Sequence, residues 1–248
     1  EYPGKIACII LEPEKYDPPV DDFLNKAKEI CHKNGALFIL DEMITGFRWH
    51  NGGAQKLYNV DPDLSTFGKA LGNGFSIAAL AGKREFLDLG GIYHKKERVF
   101  LNSTTHGAET HALAVAIATI NFYQENDVIG VLYEQGRKLK EGVNKASKDL
   151  GIEDKVSIIG PDCGSVYTTR DQEGNPSQTF RTLFIQEQMK RGLLMPSSIV
   201  SYSHSDIDIA VTVERLYDAM IVYKKALNEG VEKYLDGRPV APVWRKYN

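Results

Sequence analysis

The sequence is poor in the residues that build metal sites and disulfide frameworks. It has three cysteines, Cys8, Cys31 and Cys163, an odd number with no metal-ligand spacing among them. Cys8 and Cys31 sit among apolar neighbours, so both are expected as small core residues in a reducing compartment, which places the chain in the cytoplasm. There is no basic block: 30 Lys and Arg stand against 33 Asp and Glu, for a net charge of -3, and nucleic acid is not an expected partner. No apolar stretch approaches the length that spans a bilayer, so no membrane partner is expected either. Glu1-Tyr2-Pro3-Gly4 does not read as a signal peptide. No internal repeat or low-complexity tract interrupts the chain. Of the 6 histidines, His106, His111 and His204 match no metal motif with nearby carboxylates and read as capping or surface groups. An initiator methionine is missing, and the chain opens almost directly into an apolar run. It reads as the middle of something longer.

What is present suits an ordinary soluble protein. The 248 residues are 42% hydrophobic and 25% charged, enough for one large domain or two moderate ones. Ile6-Ala7-Cys8-Ile9-Ile10-Leu11 is continuously apolar, as expected of a strand covered on both faces. Val20, Phe23, Leu24, Ala27, Ile30 and Cys31 follow at helical spacing, with Asp21 and Asp22 near the start and Gly35 past the end. Ala36-Leu37-Phe38-Ile39-Leu40 is a second buried strand. Strand, helix and strand at this spacing predict a crossover unit in a parallel sheet, and an α/β class. Further strands are expected before Lys69 and over residues 77–82, and a short helix over 83–89. The carboxyl-terminal part changes character. A long helix with a core stripe from Ile129 to Leu150 leads to strand candidates at 156–159 and 165–168. A helix over 178–191 is followed by a brief strand or loop at 193–196. Ser205 and Asp208 form a capping box before a last helix running to Leu227. This reads as a small α+β domain, with an irregular tail from Gly237.

Two places carry candidate chemistry. Lys69 lies in Ser65-Thr66-Phe67-Gly68-Lys69-Ala70-Leu71-Gly72, between glycines and after a short strand. A lysine that leaves solvent can shed its proton and form a Schiff base with an aldehyde, although most lysines are solvated surface charges. Asp41-Glu42 directly follows the second strand. A carboxylate at the carboxyl end of a strand suits either a ligand site or a loop cap. Ser103-Thr104-Thr105-His106-Gly107 opens a helix, where hydroxyls and free N–H groups suit an anion or an ordinary N-cap. An acid about thirty residues before a lysine in a Gly-rich turn meets the needs of pyridoxal phosphate chemistry, in which the lysine holds the aldehyde and the acid holds the ring nitrogen protonated.

Three blocks in order carry a likeness to a family: Leu40-Asp41-Glu42-Met43-Ile44-Thr45-Gly46-Phe47-Arg48, Gly52-Gly53-Ala54-Gln55 and Pro62-Asp63-Leu64-Ser65-Thr66-Phe67-Gly68-Lys69. Together they resemble the class III pyridoxal-phosphate-dependent aminotransferases, and within them the glutamate-1-semialdehyde 2,1-aminomutase group. The resemblance implies a fold-type I transferase. Residues 1–135 would be the carboxyl-terminal half of the large cofactor-binding domain, and 136–248 a linking helix and small carboxyl-terminal domain. It implies pyridoxal 5'-phosphate as cofactor, Lys69 as the Schiff-base lysine and proton shuttle, and Asp41 as partner of the pyridine nitrogen. Met43 would lie against the ring, with plain core packing as the alternative. Thr105 would reach the phosphate bound by the neighbouring subunit of a homodimer, with Thr104 as the fallback. Substrates would be small-molecule amines and carbonyl compounds.

Gly107-Ala108-Glu109 stands where the family has Gly-Asn-Pro, and Glu14-Lys15-Tyr16-Asp17 follows Glu12-Pro13 where it usually has Gly-Asn. The amino-group acceptor is therefore left open, a sugar or another carbonyl compound included. The family's amino-terminal half, with its phosphate cup and stacking aromatic ring, has no counterpart here, so the chain is expected to be a portion that needs that half. Decarboxylation or epimerisation with the same cofactor stays open, as does a non-catalytic remnant that binds a partner subunit.

Overall fold

Three short strands running the same way, and a fourth running against them, carry the first part of the chain. The computed structural model describes residues 2–100, 105, 107 and 109–241, and the chain divides into two units, Glu1–Ile129 and Gly130–Asn248. In the first unit, β1 (Cys8–Leu11) leads through α1 (Phe23–Lys33) to β2 (Leu37–Asp41). The one-turn helix α2 (Ala54–Leu57) precedes β3 (Leu64–Phe67), and β4 (Ala79–Gly82), α3 (Arg84–Leu87) and α4 (Thr110–Glu125) follow. The sheet order is β1-β2-β3-β4. β1, β2 and β3 are mutually parallel, and β4 is antiparallel to β3.

α1 stops because Gly35 takes a left-handed φ of 69°, a conformation that costs a residue without a Cβ nothing. Its inner face packs on β2, where half-buried and buried positions alternate and Phe38 and Leu40 are fully enclosed. Leu24, Cys31, Ala36, Phe38, Leu40 and Val60 form the core there.

The expectation for the first strand is corrected. Among the described residues β1 has one strand neighbour, β2, and its apolar residues are largely in solvent: Ile9 is 38% and Ile10 57% exposed. Cys8, expected in the core, is exposed, whereas Cys31 and Cys163 are buried. A continuous apolar run signals a strand built for cover on both faces, but cover comes from whatever packs on it, and α1 packs on β2. Val20, Phe23 and Ile30, part of the same helical stripe, are exposed for the same reason.

One buried carboxylate ties the far side of this unit together. Asp63, 2% exposed, accepts from the Phe38 N–H at 2.8 Å, pairs with His32 Nε2 at 2.8 Å and accepts from Lys83 Nζ at 2.7 Å. Burial opposes its ionisation, but the Lys83 ammonium, the Phe38 N–H and His32 outweigh that and hold its pKa down to about 2, from 3.8. The folded value lies below the unfolded one, so this contribution is complete above about pH 4 and fades as the pH falls toward 2. Chemical unfolding followed from about pH 5 downward is expected to show a loss of roughly 2 kcal/mol that Asp63→Asn flattens. Equal slopes for the two proteins would discount the cluster.

The second unit holds most of α5 (Val128–Asp149), the antiparallel pair β5 (Val156–Ile159) and β6 (Val166–Thr169), α6 (Gln178–Lys190) and α7 (Asp206–Glu229). Its core is built on Phe180, Leu183, Phe184, Leu216, Met220 and Tyr223, each at most 1% exposed. Both halves of the Ser205–Asp208 capping box are formed. Within the α5 stripe, Gly136 is required by close approach, because a Cβ there would collide with the Asp162 carbonyl. Residues 193–196 form no strand. The tail beyond residue 241 lies outside the described residues.

Candidate active site

β2 and β3 end at the same edge of the sheet. Their register sets Asp41 beside Thr66, and the Glu42 N–H donates to the Thr66 carbonyl at 2.9 Å. In open α/β sheets the carboxyl ends of parallel strands face the crevice in which ligands bind. Two carboxylates leave β2 at this edge in succession, and their surroundings give them opposite tasks.

Glu42 is a structural anchor. It is fully buried, and its Oε2 accepts from the Thr45 hydroxyl and from the Ala54 N–H at 2.9 Å. Oε1 accepts from the Gln55 N–H at 2.7 Å. The last two donors are the first N–H groups of α2, which no carbonyl within the helix can satisfy. Gly53 makes room for this: its φ is 79°, and a Cβ would lie 2.7 Å from the Glu42 carboxyl carbon. Gln55 Oε1 accepts in turn from the Ser65 hydroxyl at 2.9 Å. Residues 43–55 are thereby stapled to the ends of both strands.

Asp41, half-buried, is held by one oxygen. Its Oδ1 accepts from the Met43 N–H at 3.0 Å and from the Thr66 hydroxyl at 3.1 Å. Its Oδ2 has no hydrogen-bond partner among the described residues. The strand-end acids thus meet both roles that the sequence left open, with Glu42 as the loop cap and Asp41 as the acid with a free acceptor.

Past β3 the chain passes under Met43. The space a Cβ would take at Gly68 is filled by the Met43 methyl, with the sulfur 2.9 Å from that point, so a glycine is needed where the thioether crosses the backbone. Lys69 follows, in a left-handed φ of 44° at the start of the 3-10 turn Lys69–Leu71. It is exposed, and its side chain makes no hydrogen bond or ion pair with a described residue. Its amine is uncommitted. Lys69 stands three positions beyond Thr66, the residue registered on Asp41.

Aromatic contacts brace the loop. The Tyr123 hydroxyl of α4 donates to the Phe47 carbonyl at 2.8 Å, and the Phe47 ring meets those of Tyr123 and Phe67 edge-on at 5.8 and 6.1 Å. Burial pushes the Tyr123 phenol up, which keeps it a neutral donor. Trp49 Nε1 donates at 2.7 Å to Glu14, a buried carboxylate that also takes the Tyr58 hydroxyl.

The strand register and loop therefore gather Asp41, Met43 and Lys69 at one sheet edge. Thr105 lies in an exposed turn, and no contact among the described residues joins it to them. Thr104 and His106 lie outside the described residues. Sequence reasoning passed over Thr66, although it sits in the quoted run, because its partner is 25 positions away. Glu42 was legible as one of a pair but not as the anchor. Among the described residues no group of three His, Cys, Asp or Glu could hold a metal ion, and no helix is long and apolar enough to cross a membrane. A groove of about 630 Å³ between α5 and α7 is lined in part by Gly142, Ala146, Ile209 and Val213. It is mostly apolar and holds no reactive pair.

A family model described as "Aminotransferase class-III" matches residues 1–227. The 3-aminobutyryl-CoA aminotransferase of Cloacimonas acidaminovorans (strain Evry) is 32% identical over 212 residues, covering 84% of this chain and 49% of that protein. The glutamate-1-semialdehyde 2,1-aminomutase of Sulfurihydrogenibium sp. (strain YO3AOP1) is 31% identical over 238 residues, covering 88% and 53%. Among solved structures, the PLP internal aldimine form of the FumI protein of Sphingopyxis sp. MTA144 superimposes with a TM-score of 0.77 at 23% identity, covering 91% of this chain and 54% of that one. At that identity the likeness is one of fold. The chain spans about half the length of the curated relatives it matches.

Proposed function

Because the chain belongs to the class III aminotransferase family, we propose that it serves pyridoxal-phosphate-dependent amino-group transfer, with Lys69 and Asp41 as its working pair. The observation that supports this reading is the strand register, which puts a half-held carboxylate at the carboxyl end of β2 and an uncommitted amine just past the carboxyl end of its neighbour β3. Bound there, pyridoxal phosphate would supply an aldehyde for the amine and an electron-accepting ring. The residues fit that group. Asp41 Oδ2 is a free acceptor for a protonated ring nitrogen, Lys69 Nζ is free to bond an aldehyde carbon and to take up a proton, and the Met43 thioether offers an apolar flank. Thr105 is assigned to a phosphate bound by a second subunit, which makes the active form a homodimer in this reading. Residues 1–135 would complete a large domain only together with an amino-terminal half, and 136–248 would form the linking helix and small domain. Substrates would be a small-molecule amine and a carbonyl compound. The unbridged cysteines support a reducing, cytoplasmic setting.

The test uses the full-length protein carrying these residues. With pyridoxal phosphate, an amino donor and a keto acid, new amino acid is expected to form. Formation of product from a single amino-carbonyl substrate without added keto acid would mark an aminomutase instead. Release of carbon dioxide or racemised substrate, with no amino group moved, would overturn the reading. Asp41→Asn is expected to weaken cofactor retention by about ten- to a hundredfold, the worth of a hydrogen bond between charged groups. Equilibrium dialysis giving an unchanged dissociation constant would remove Asp41 from the site.

A further inference from the structure

Asp41 can serve a ring nitrogen only if its carboxylate presents one oxygen steadily. A carboxylate is free to turn about its last torsion, which has broad, roughly two-fold wells. Here two donors converge on the same oxygen, the Met43 N–H at 3.0 Å and the Thr66 hydroxyl at 3.1 Å. They come from different elements: Met43 lies two residues beyond Asp41, just past the end of β2, and Thr66 lies in β3, 25 positions away. With both in place the plane of the carboxylate is set and Oδ2 is left over. With one, the two oxygens compete for a single donor.

We propose that Thr66 is a positioning residue, whose hydroxyl fixes the Asp41 carboxylate so that Oδ2 is reserved for the cofactor's ring nitrogen. This rests on the pyridoxal phosphate reading of the site. Thr66 touches neither the cofactor nor the substrate in that reading, and acts through Asp41 alone. The register that sets Thr66 beside Asp41 makes the contact a property of the sheet, so it exists before any ligand arrives. β3 thus contributes twice to the site, once through the lysine beyond its end and once through this hydroxyl.

Thr66→Val keeps the branched shape and removes the hydroxyl. Thr66→Ser keeps the hydroxyl. Both are compared with the wild type in the full-length protein, using pyridoxal 5'-phosphate labelled with ¹⁵N in the ring. The wild type is expected to show the ring nitrogen in its protonated position by NMR. In Thr66→Val the resonance is expected to move toward the unprotonated position, cofactor affinity to fall about three- to tenfold for one lost hydrogen bond, and kcat to fall more than KM rises. Thr66→Ser is expected to restore all three. A resonance unmoved in Thr66→Val, in a protein whose wild type binds the cofactor, overturns the positioning role alone. A shift that serine does not restore also overturns it, since the hydroxyl would not be the agent. If the wild type binds no pyridoxal phosphate, the reading of the site falls, and this inference falls with it.

Discussion

Lys69→Ala is expected to reduce amino-group transfer by about three or more orders of magnitude, the scale on which removal of a covalent catalytic group is felt. The variant should fold normally. Lys69 is exposed and bonded to no described side chain, so its removal leaves no buried partner unsatisfied. Its left-handed φ of 44° strains lysine and alanine alike, because the clash comes from the Cβ that both possess. Lys69→Gly removes that clash as well, so it should lose the same activity while matching or exceeding the wild type in thermal stability. The chemical readout is independent of turnover. Borohydride treatment of the loaded wild type should add the mass of reduced cofactor to the peptide holding Lys69, and neither variant should take it up. A variant retaining a tenth of wild-type activity, or cofactor mass on another lysine, would contradict the assignment.

The second large effect is on the fold. Glu42→Ala is expected to cost on the order of 3–5 kcal/mol, the scale of leaving buried donors without a charged acceptor. The side chain is fully enclosed, and its loss strands the Ala54 and Gln55 N–H groups and the Thr45 hydroxyl in places water does not readily reach. That is a large share of the 5–15 kcal/mol that holds a typical domain together. Glu42→Gln fits the same volume but turns one acceptor into a donor facing N–H groups, so it should fall between alanine and wild type. Urea unfolding measures both. A Glu42→Ala midpoint equal to that of the wild type would show that the loop does not depend on this anchor. Because residues 43–55 carry Met43 and abut Gly68, loosening them should also weaken cofactor retention, an effect that Glu42→Gln should show in milder form.

Much of the first unit was legible along the chain because its signals are local. The stripe from Leu24 to Cys31, Gly35 at the helix end and the apolar run at 36–40 each lie within a few residues of the structure they specify. The capping box at Ser205 is equally local, its partners three positions apart. β1 was misjudged because hydropathy states what a strand is suited to contact, whereas its exposure depends on which elements lie over it. The roles of Gly68 and Thr66 were hidden for a related reason. A glycine before a lysine looks like any turn residue until the Met43 thioether is seen occupying its missing Cβ, and a threonine in a strand looks like β propensity until its hydroxyl meets an acid from the neighbouring strand.

By itself the sequence determined the strand–helix–strand order, the α+β character of the second unit and the identities of the candidate amine and acids. All of these follow from side-chain periodicity and from residue types at fixed short spacings. Only the tertiary structure decided which strand-end carboxylate is spent on the loop and which keeps an oxygen free. That choice is made by donors 12, 13 and 25 positions distant, and a hydrogen bond depends on separation in space, which the backbone sets only when the strands pair.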